Sequence, residues 1–327
     1  MLGYIISDKN EINVESYEIK SFDILHKTDL NIFVIENNNV LYKNHIINNA
    51  SSNGHVEVLE WFKNSGYEFK YDEDAIKWAS GNGHIQVLEW FKNSGYEFKY
   101  DDWTILCSCE NGHVQVLEWF KNSGYKFKYN EWAINNASAC GNVQVLEWFK
   151  NSGYEFKYTE KAIYNASLNG HIEVLEWFKN SSYEFKYNGV NTINYSSLYG
   201  NIQVLEWFKN SGYEFKYDER AINYTSWNGH IQVLEWFKNS GYEFKYDEWA
   251  INYASCHGHI KVLEWFKNSG YEFKYTEYAL RNDFIKILKF YSYNVNIKKI
   301  IWTDKIMFIK TIKFKTNHKY LKGYQKN

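Results

Sequence analysis

The residue types able to do chemistry in this 327-residue chain recur at a nearly fixed interval. His55, His84, His113, His171, His230 and His259 each follow a glycine directly. Two imidazoles sharing a zinc ion must both bring a nitrogen to about 2 Å from it. Helices of neighbouring repeats pack about 10 Å apart, so successive histidines are too far apart to share an ion. Asn142 and Asn201 take the same place in two further units, which suits a polar turn residue or helix cap. Cys107 and Cys109 are two apart on a helical stretch, where such residues point to different faces, and no second ligand pair accompanies them. All four cysteines therefore read as free thiols. A glutamate recurs six residues after each glycine and a lysine nine after, a spacing that predicts surface ion pairs. The chain has no nucleophile elbow, no phosphate-binding glycine loop and no His-Glu-x-x-His. No enzymatic activity, metal or cofactor is expected.

The element that positions these residues is GHIQVLEWFKNSGYEFKY, complete at Gly83–Tyr100 and Gly229–Tyr246. Variants begin at Gly54, Gly112, Gly141, Gly170, Gly200 and Gly258. The eight glycines are 29 residues apart except for one interval of 30, which an extra residue around Gly189 accounts for. Self-similarity at such a period marks a solenoid, in which each unit buries its apolar face only against its neighbours. Each unit reads as two short helices and a strut. Helix A, such as EWAINYASC at 248–256, follows Asp, Thr or Asn and then Glu, as at Asp72-Glu73, Thr159-Glu160, Asp218-Glu219 and Asp247-Glu248. Those residues suit an N-cap and the positive end of the helix dipole. Helix B covers HIQVLEWFKN and stops at Ser-Gly, with glycine in the C-terminal cap position. The alternating YEFKY is then an extended connection.

Eight internal copies can be compared with one another. Helix B and the strut hardly change, and variation collects in helix A at nine, six, five and two residues before the glycine. These offsets share one helical stripe, while the opposite arc holds a repeated small residue, Ile and Ser. The stripe is expected to face solvent, and stacked units to align it into one extended surface. It carries Trp78, Trp103, Trp132, Trp227 and Trp249, together with Lys161, Tyr195, Arg220, Tyr224 and Tyr253. Exposed Trp is uncommon and is enriched at interface hot spots, so these ten residues are the candidate partner-binding set. The Trp repeated in every helix B (Trp61, Trp90, Trp119, Trp148, Trp177, Trp207, Trp236, Trp265) could instead form a stacking ladder for a glycan or single-stranded nucleic acid. Its identity in every unit favours inter-repeat packing.

The pattern Gly-His-x-x-Val-x-x-x-apolar, preceded by Ala-Ser-x-Asn in several units, resembles the helices of ankyrin repeats across all eight units. The resemblance implies an all-α helix-turn-helix solenoid that binds proteins. Two departures stand out. The period is 29 rather than the family's 33, which implies shortened or absent β-hairpin fingers, and Ala-Ile replaces the Pro-Leu that opens the family's first helix. Such shortened units resemble arrays of amoeba-infecting giant viruses and AT-rich protists, which would make the partner a host protein.

The expected layout is a divergent, helical or mixed N-terminal cap over 1–43, eight repeats over 44–275, a degenerate C-terminal cap over 276–296, and a basic tail over 297–327. From Arg281 onward twelve Lys/Arg face two Asp, a net +10 within a chain of net −2. The tail thus offers an alternative role, contact with nucleic acid or another polyanion; the scarcity of arginine (Arg220 and Arg281 only) weakens phosphate recognition. No secretory signal pattern opens the chain, and no apolar run approaches the ~18 residues of a membrane span. The sequence predicts an intracellular, cytoplasmic monomer with no membrane contact, acting as a protein-interaction scaffold.

Overall fold

The computed structural model describes residues 46–66 and 68–280, together with the backbone of seven short strands outside that span. By its internal contacts the chain divides into two compact units, 1–188 and 189–327. The boundary falls at Gly189, where the repeat interval lengthens to 30.

The first unit holds five helix pairs: α1 (Ile46–Ser52) and α2 (Val56–Asn64), α3 (Glu73–Gly81) and α4 (Ile85–Ser94), α5 (Asp102–Glu110) and α6 (Val114–Ser123), α7 (Glu131–Ala139) and α8 (Val143–Ser152), α9 (Lys161–Asn169) and α10 (Ile172–Asn180). The second holds three: α11 (Gly189–Leu198) and α12 (Ile202–Ser211), α13 (Arg220–Asn228) and α14 (Ile231–Asn239), α15 (Glu248–Cys256) and α16 (Ile260–Ser269), followed by a 3-10 turn at Glu277–Leu280. Odd-numbered helices are the helix A of the sequence pattern and even-numbered ones the helix B. No strand lies between residues 46 and 280 among the described residues, so the array is a sequential all-helical solenoid within each unit.

The expected caps form. Asp72, Asp101, Asn130 and Asp247 each accept a hydrogen bond from a backbone N–H in the first turn of the following helix. Thr159 and Asp218 do the same toward Lys161 and Arg220. Helices α4, α6, α8, α12 and α16 end on a left-handed glycine, φ +84° to +87°. The glycine that opens helix B is required twice over at Gly54, Gly83, Gly112, Gly141, Gly200 and Gly229. Gly83 has φ +78°, and a Cβ there would come within 2.9 Å of the His113 ring of the next repeat.

Helix B contributes Val, Leu and Phe to the core: Phe62, Phe91, Phe120, Phe149, Phe178, Phe208, Phe237 and Phe266 are all buried. Burying one such side chain stabilises by about 1.5–3 kcal/mol. Helix A answers with a buried Ile in every repeat, Ile47 through Ile251. Neighbouring odd-numbered helices pack on one another far more extensively than neighbouring even-numbered ones, because their facing arcs are Ala, Ser and Thr. Ser51, Ser138, Ser167, Ser197 and Ser226 are satisfied within their own helix, as where Ser138 Oγ donates to the Ile134 carbonyl at 2.8 Å.

Outside the array, the segment expected as an N-terminal cap includes strands β1 (Leu2–Ile5), β2 (Ile32–Glu36) and β3 (Asn39–Leu41). They pair antiparallel in that order, with Leu2 opposite Ile35 and Val34 opposite Leu41. Short β-branched runs such as IFVI cannot be told from helix by periodicity alone. In the second unit β4 (Val295–Ile297) pairs with β7 (Ile312–Phe314), and β5 (Ile300–Thr303) with β6 (Ile306–Ile309). The rest of the expected C-terminal cap and basic tail lies outside the described residues.

Candidate interaction surface

On the odd-numbered helices the described residues nine, five and two before the glycine reach solvent, apart from the buried Gly81. Exposure is 44% at Trp78, 58% at Trp103, 39% at Trp132, 38% at Trp227 and 38% at Trp249. Lys161 is exposed, whereas Tyr195, Arg220, Tyr224 and Tyr253 are half-buried. His45, the first stripe position, lies outside the described residues.

In the first unit the tryptophans stand on successive helices α3, α5 and α7. The Lys77 ammonium sits over the Trp78 ring, 4.8 Å from its centroid, and is ion-paired with Asp74. Lys161 sits over Trp132 at 4.1 Å. In the second unit the aromatic rings form one row. Tyr195 meets Tyr224 at 5.7 Å, Tyr224 meets Trp227 at 6.5 Å, and Trp227 meets Tyr253 at 4.7 Å. Trp249 then contacts Tyr253 at 5.1 Å and Tyr278 at 5.2 Å, while His257 stacks on Trp227. Arg220 is held by Asp218, its Nε donating to Oδ1 at 3.0 Å and Nη2 to Oδ2 at 2.7 Å. Burial alone would raise the Asp218 carboxyl, but the Arg220 hydrogen bonds hold it below its usual value.

The stripe position six residues before the glycine is buried in six of the eight repeats, contrary to the sequence reading, and only Lys77 and Tyr164 are half-buried there. Asn48, Leu106, Asn135, Asn194, Asn223 and Asn252 are buried there. The reason is a clamp between repeats. Asn135 Nδ2 donates to Thr159 Oγ1 at 3.0 Å, and the Thr159 backbone N–H donates back to Asn135 Oδ1 at 3.1 Å. The same pairing joins Asn48 to Asp72, Asn194 to Asp218, Asn223 to Asp247 and Asn252 to Thr276. Each asparagine thereby fixes the residue that caps the next helix A. The signal was present in the chain, since an Asn in five of eight copies stands 24 residues before an Asp or Thr cap.

The helix B tryptophans are inter-repeat ties. Trp90 Nε1 donates to Glu60 at 2.7 Å, Trp148 to Glu118 at 2.8 Å, Trp177 to Glu147 at 2.9 Å and Trp236 to Glu206 at 2.8 Å. Trp119 and Trp265 repeat the bond to Glu89 and Glu235. The expected Glu–Lys pairing within helix B occurs beside these bonds, as at Lys150 to Glu147, 3.6 Å. The lysines also lie over the next repeat's indole, as Lys92 does over Trp119 at 5.7 Å. The indole N–H, followed by the Asn122 amide, holds the Glu118 carboxyl below its ordinary value.

The histidines serve the same stacking. His259 Nε2 lies 2.7 Å from the Trp227 carbonyl, and Asn142 Nδ2 donates to the Glu110 carbonyl at 2.7 Å from the equivalent position. Burial pushes His84 and His230 below the ordinary imidazole value, opposed by bonds to the Ser52 and Leu198 carbonyls. Struts are joined without strand pairing. Tyr100 Oη donates to the Lys126 carbonyl at 2.8 Å, and Phe98 stacks on Tyr125 at 4.2 Å and on Trp119 at 5.6 Å. Burial pushes the Tyr71 and Tyr217 phenols up to about 12.

The four cysteines are free thiols, with Cys109 buried and Cys140 exposed; burial raises the thiols of Cys107, Cys109 and Cys140. Among the described residues no cluster of three or more His, Cys, Asp or Glu could hold a metal ion. Among them, too, no helix is long and apolar enough to cross a membrane. No family model matches the chain, and no curated protein matches it.

Proposed function

We propose that this chain is an ankyrin-type solenoid with shortened repeats, of the kind found in amoeba-infecting giant viruses or AT-rich protists. On this reading it acts inside the cell as a non-enzymatic scaffold that binds a protein partner through the odd-numbered helices. The observation that carries the reading is the contrast between two sets of tryptophans. Those of helix B have their indole N–H groups tied to the neighbouring repeat's glutamate, so packing explains them. Trp78, Trp103, Trp132, Trp227 and Trp249 vary between repeats and keep 38–58% of their surface exposed, large apolar area that packing leaves uncovered.

The test is capture of partners by the full chain and by a Trp103→Ala/Trp132→Ala/Trp249→Ala variant, with circular dichroism as the folding control. The proposal expects a partner that the wild-type chain retains and the folded variant loses. A partner held equally by both would refute it. The basic tail, nine Lys against one Asp over 297–327, supports a second reading, polyanion contact. Deletion of residues 297–327 should then abolish a steeply salt-dependent binding of nucleic acid.

A further inference from the structure

Charge is segregated between the two helices of the repeat. The helix A segments between Asp72 and Leu280, each counted from its cap residue, hold thirteen Asp/Glu against Lys77, Lys161 and Arg220, a net −10. The helix B and strut segments from Gly54 to Tyr275 hold eighteen Lys against seventeen Glu, a net +1. A capping residue and the helix dipole account for carboxylates in a first turn, but they do not account for exposed tryptophans beside them. Glu131 directly precedes Trp132, Glu248 precedes Trp249, and Asp101 and Asp102 precede Trp103. Glu73, Glu131, Glu160, Glu219 and Glu248 are all exposed.

The first unit also shows what this combination holds. Lys77 places its ammonium on the Trp78 ring while the Asp74 carboxylate pairs with it, and Lys161 places its ammonium on Trp132. An indole face with a carboxylate next to it is a seat for an alkylammonium or guanidinium group. Among the described residues Trp103 is the most exposed tryptophan, at 58%, with two aspartates before it. No cation among the described residues sits on its ring. Polyanions are repelled by the same surface.

We infer that the helix A surface of the first unit recognises a Lys/Arg-rich polypeptide segment, one cation seated on the open Trp103 face and others paired with the exposed carboxylates at the starts of these helices, Glu131 and Glu160 among them. This names the partner class for the surface proposed above and rests on that reading. Attraction between an acidic face and a basic segment speeds encounter and makes binding salt-sensitive.

The experiment measures fluorescence anisotropy of a fluorescein-labelled twelve-residue peptide of alternating Lys and Arg, titrated with the full chain. Deca-glutamate and a dT15 oligonucleotide serve as comparison probes. The basic peptide should bind, and should weaken about tenfold or more between 50 and 300 mM NaCl. The variant Trp78→Ala/Trp103→Ala/Trp132→Ala should lose about tenfold in affinity. Glu131→Gln/Glu160→Gln should weaken binding several-fold, whereas Glu97→Gln/Glu155→Gln, which removes the same charge from the struts, should leave it unchanged. Equal losses from the two glutamate pairs would show attraction by net charge alone and overturn the inference, as would preference for deca-glutamate or dT15. Should a captured partner depend on Trp103, Trp132 and Trp249 while the basic peptide fails to bind, the partner class is wrong and the scaffold reading survives. If neither depends on them, both fall.

Discussion

Replacing Asn135 by Leu tests whether the buried asparagine clamp, rather than apolar packing, sets the alignment of successive repeats. Asn135 is buried and makes two bonds to Thr159, at 3.0 and 3.1 Å. Leucine has the same heavy-atom branching and already occupies the equivalent site at Leu106, also buried. There the following cap, Asn130, donates instead to Asp102 at 2.9 Å. In Asn135→Leu the Thr159 backbone N–H would lose its acceptor and have no substitute. Losing two hydrogen bonds and leaving a half-buried donor unsatisfied costs about 2–3 kcal/mol, against which leucine gains about 1 kcal/mol of apolar burial. The expected net loss is about 1–2 kcal/mol, or roughly 2–8 °C in Tm for a domain of this size. Urea unfolding followed by circular dichroism at 222 nm reads it directly. A Thr159→Ala partner in a double-mutant cycle isolates the side-chain bond and should couple by about 1 kcal/mol. If Asn135→Leu is neutral or stabilising with an unchanged m-value, the clamp contributes nothing and the argument from Asn135 fails.

Trp148→Phe keeps the stack on Phe127, whose rings are 5.5 Å apart, but removes the donor to Glu118. It should cost about 1 kcal/mol, against about 3 for Trp148→Ala, by the same urea titration. Gly124→Ala places a Cβ in open space but at φ +86°, and should cost about 1–2 kcal/mol through backbone strain alone. The strut tyrosines make the array alkali-sensitive. Tyr71 and Tyr217 are raised by burial from 10.0 to about 12. The folded state therefore keeps them neutral after the unfolded chain has ionised. Their contribution is full below pH 10 and is lost as pH rises toward 12. Tyrosine ionisation at 295 nm should coincide with loss of helix in that window; free titration at pH 10 with intact helix would contradict the burial of the strut.

The repeat, its two helices, the Asp and Thr caps and the glycine stops were all legible in the chain, because each depends on local backbone chemistry repeated eight times. Exposure of Trp78, Trp103, Trp132, Trp227 and Trp249 was legible too, since variation at helical spacing marks a face free of packing constraints. What the sequence could not separate was variation from burial. Asn135 and Leu106 differ, yet both are buried, because whether a side chain is covered depends on the neighbouring repeat's cap and not on its own helix. Nor could spacing within one helix say that Glu118 serves Trp148 of the next repeat rather than Lys121 of its own. Those two residues are 30 apart and meet only when the repeats stack. Local chemistry thus set the elements, and the stacking of repeats chose which polar groups tie them together and which aromatic rings remain exposed.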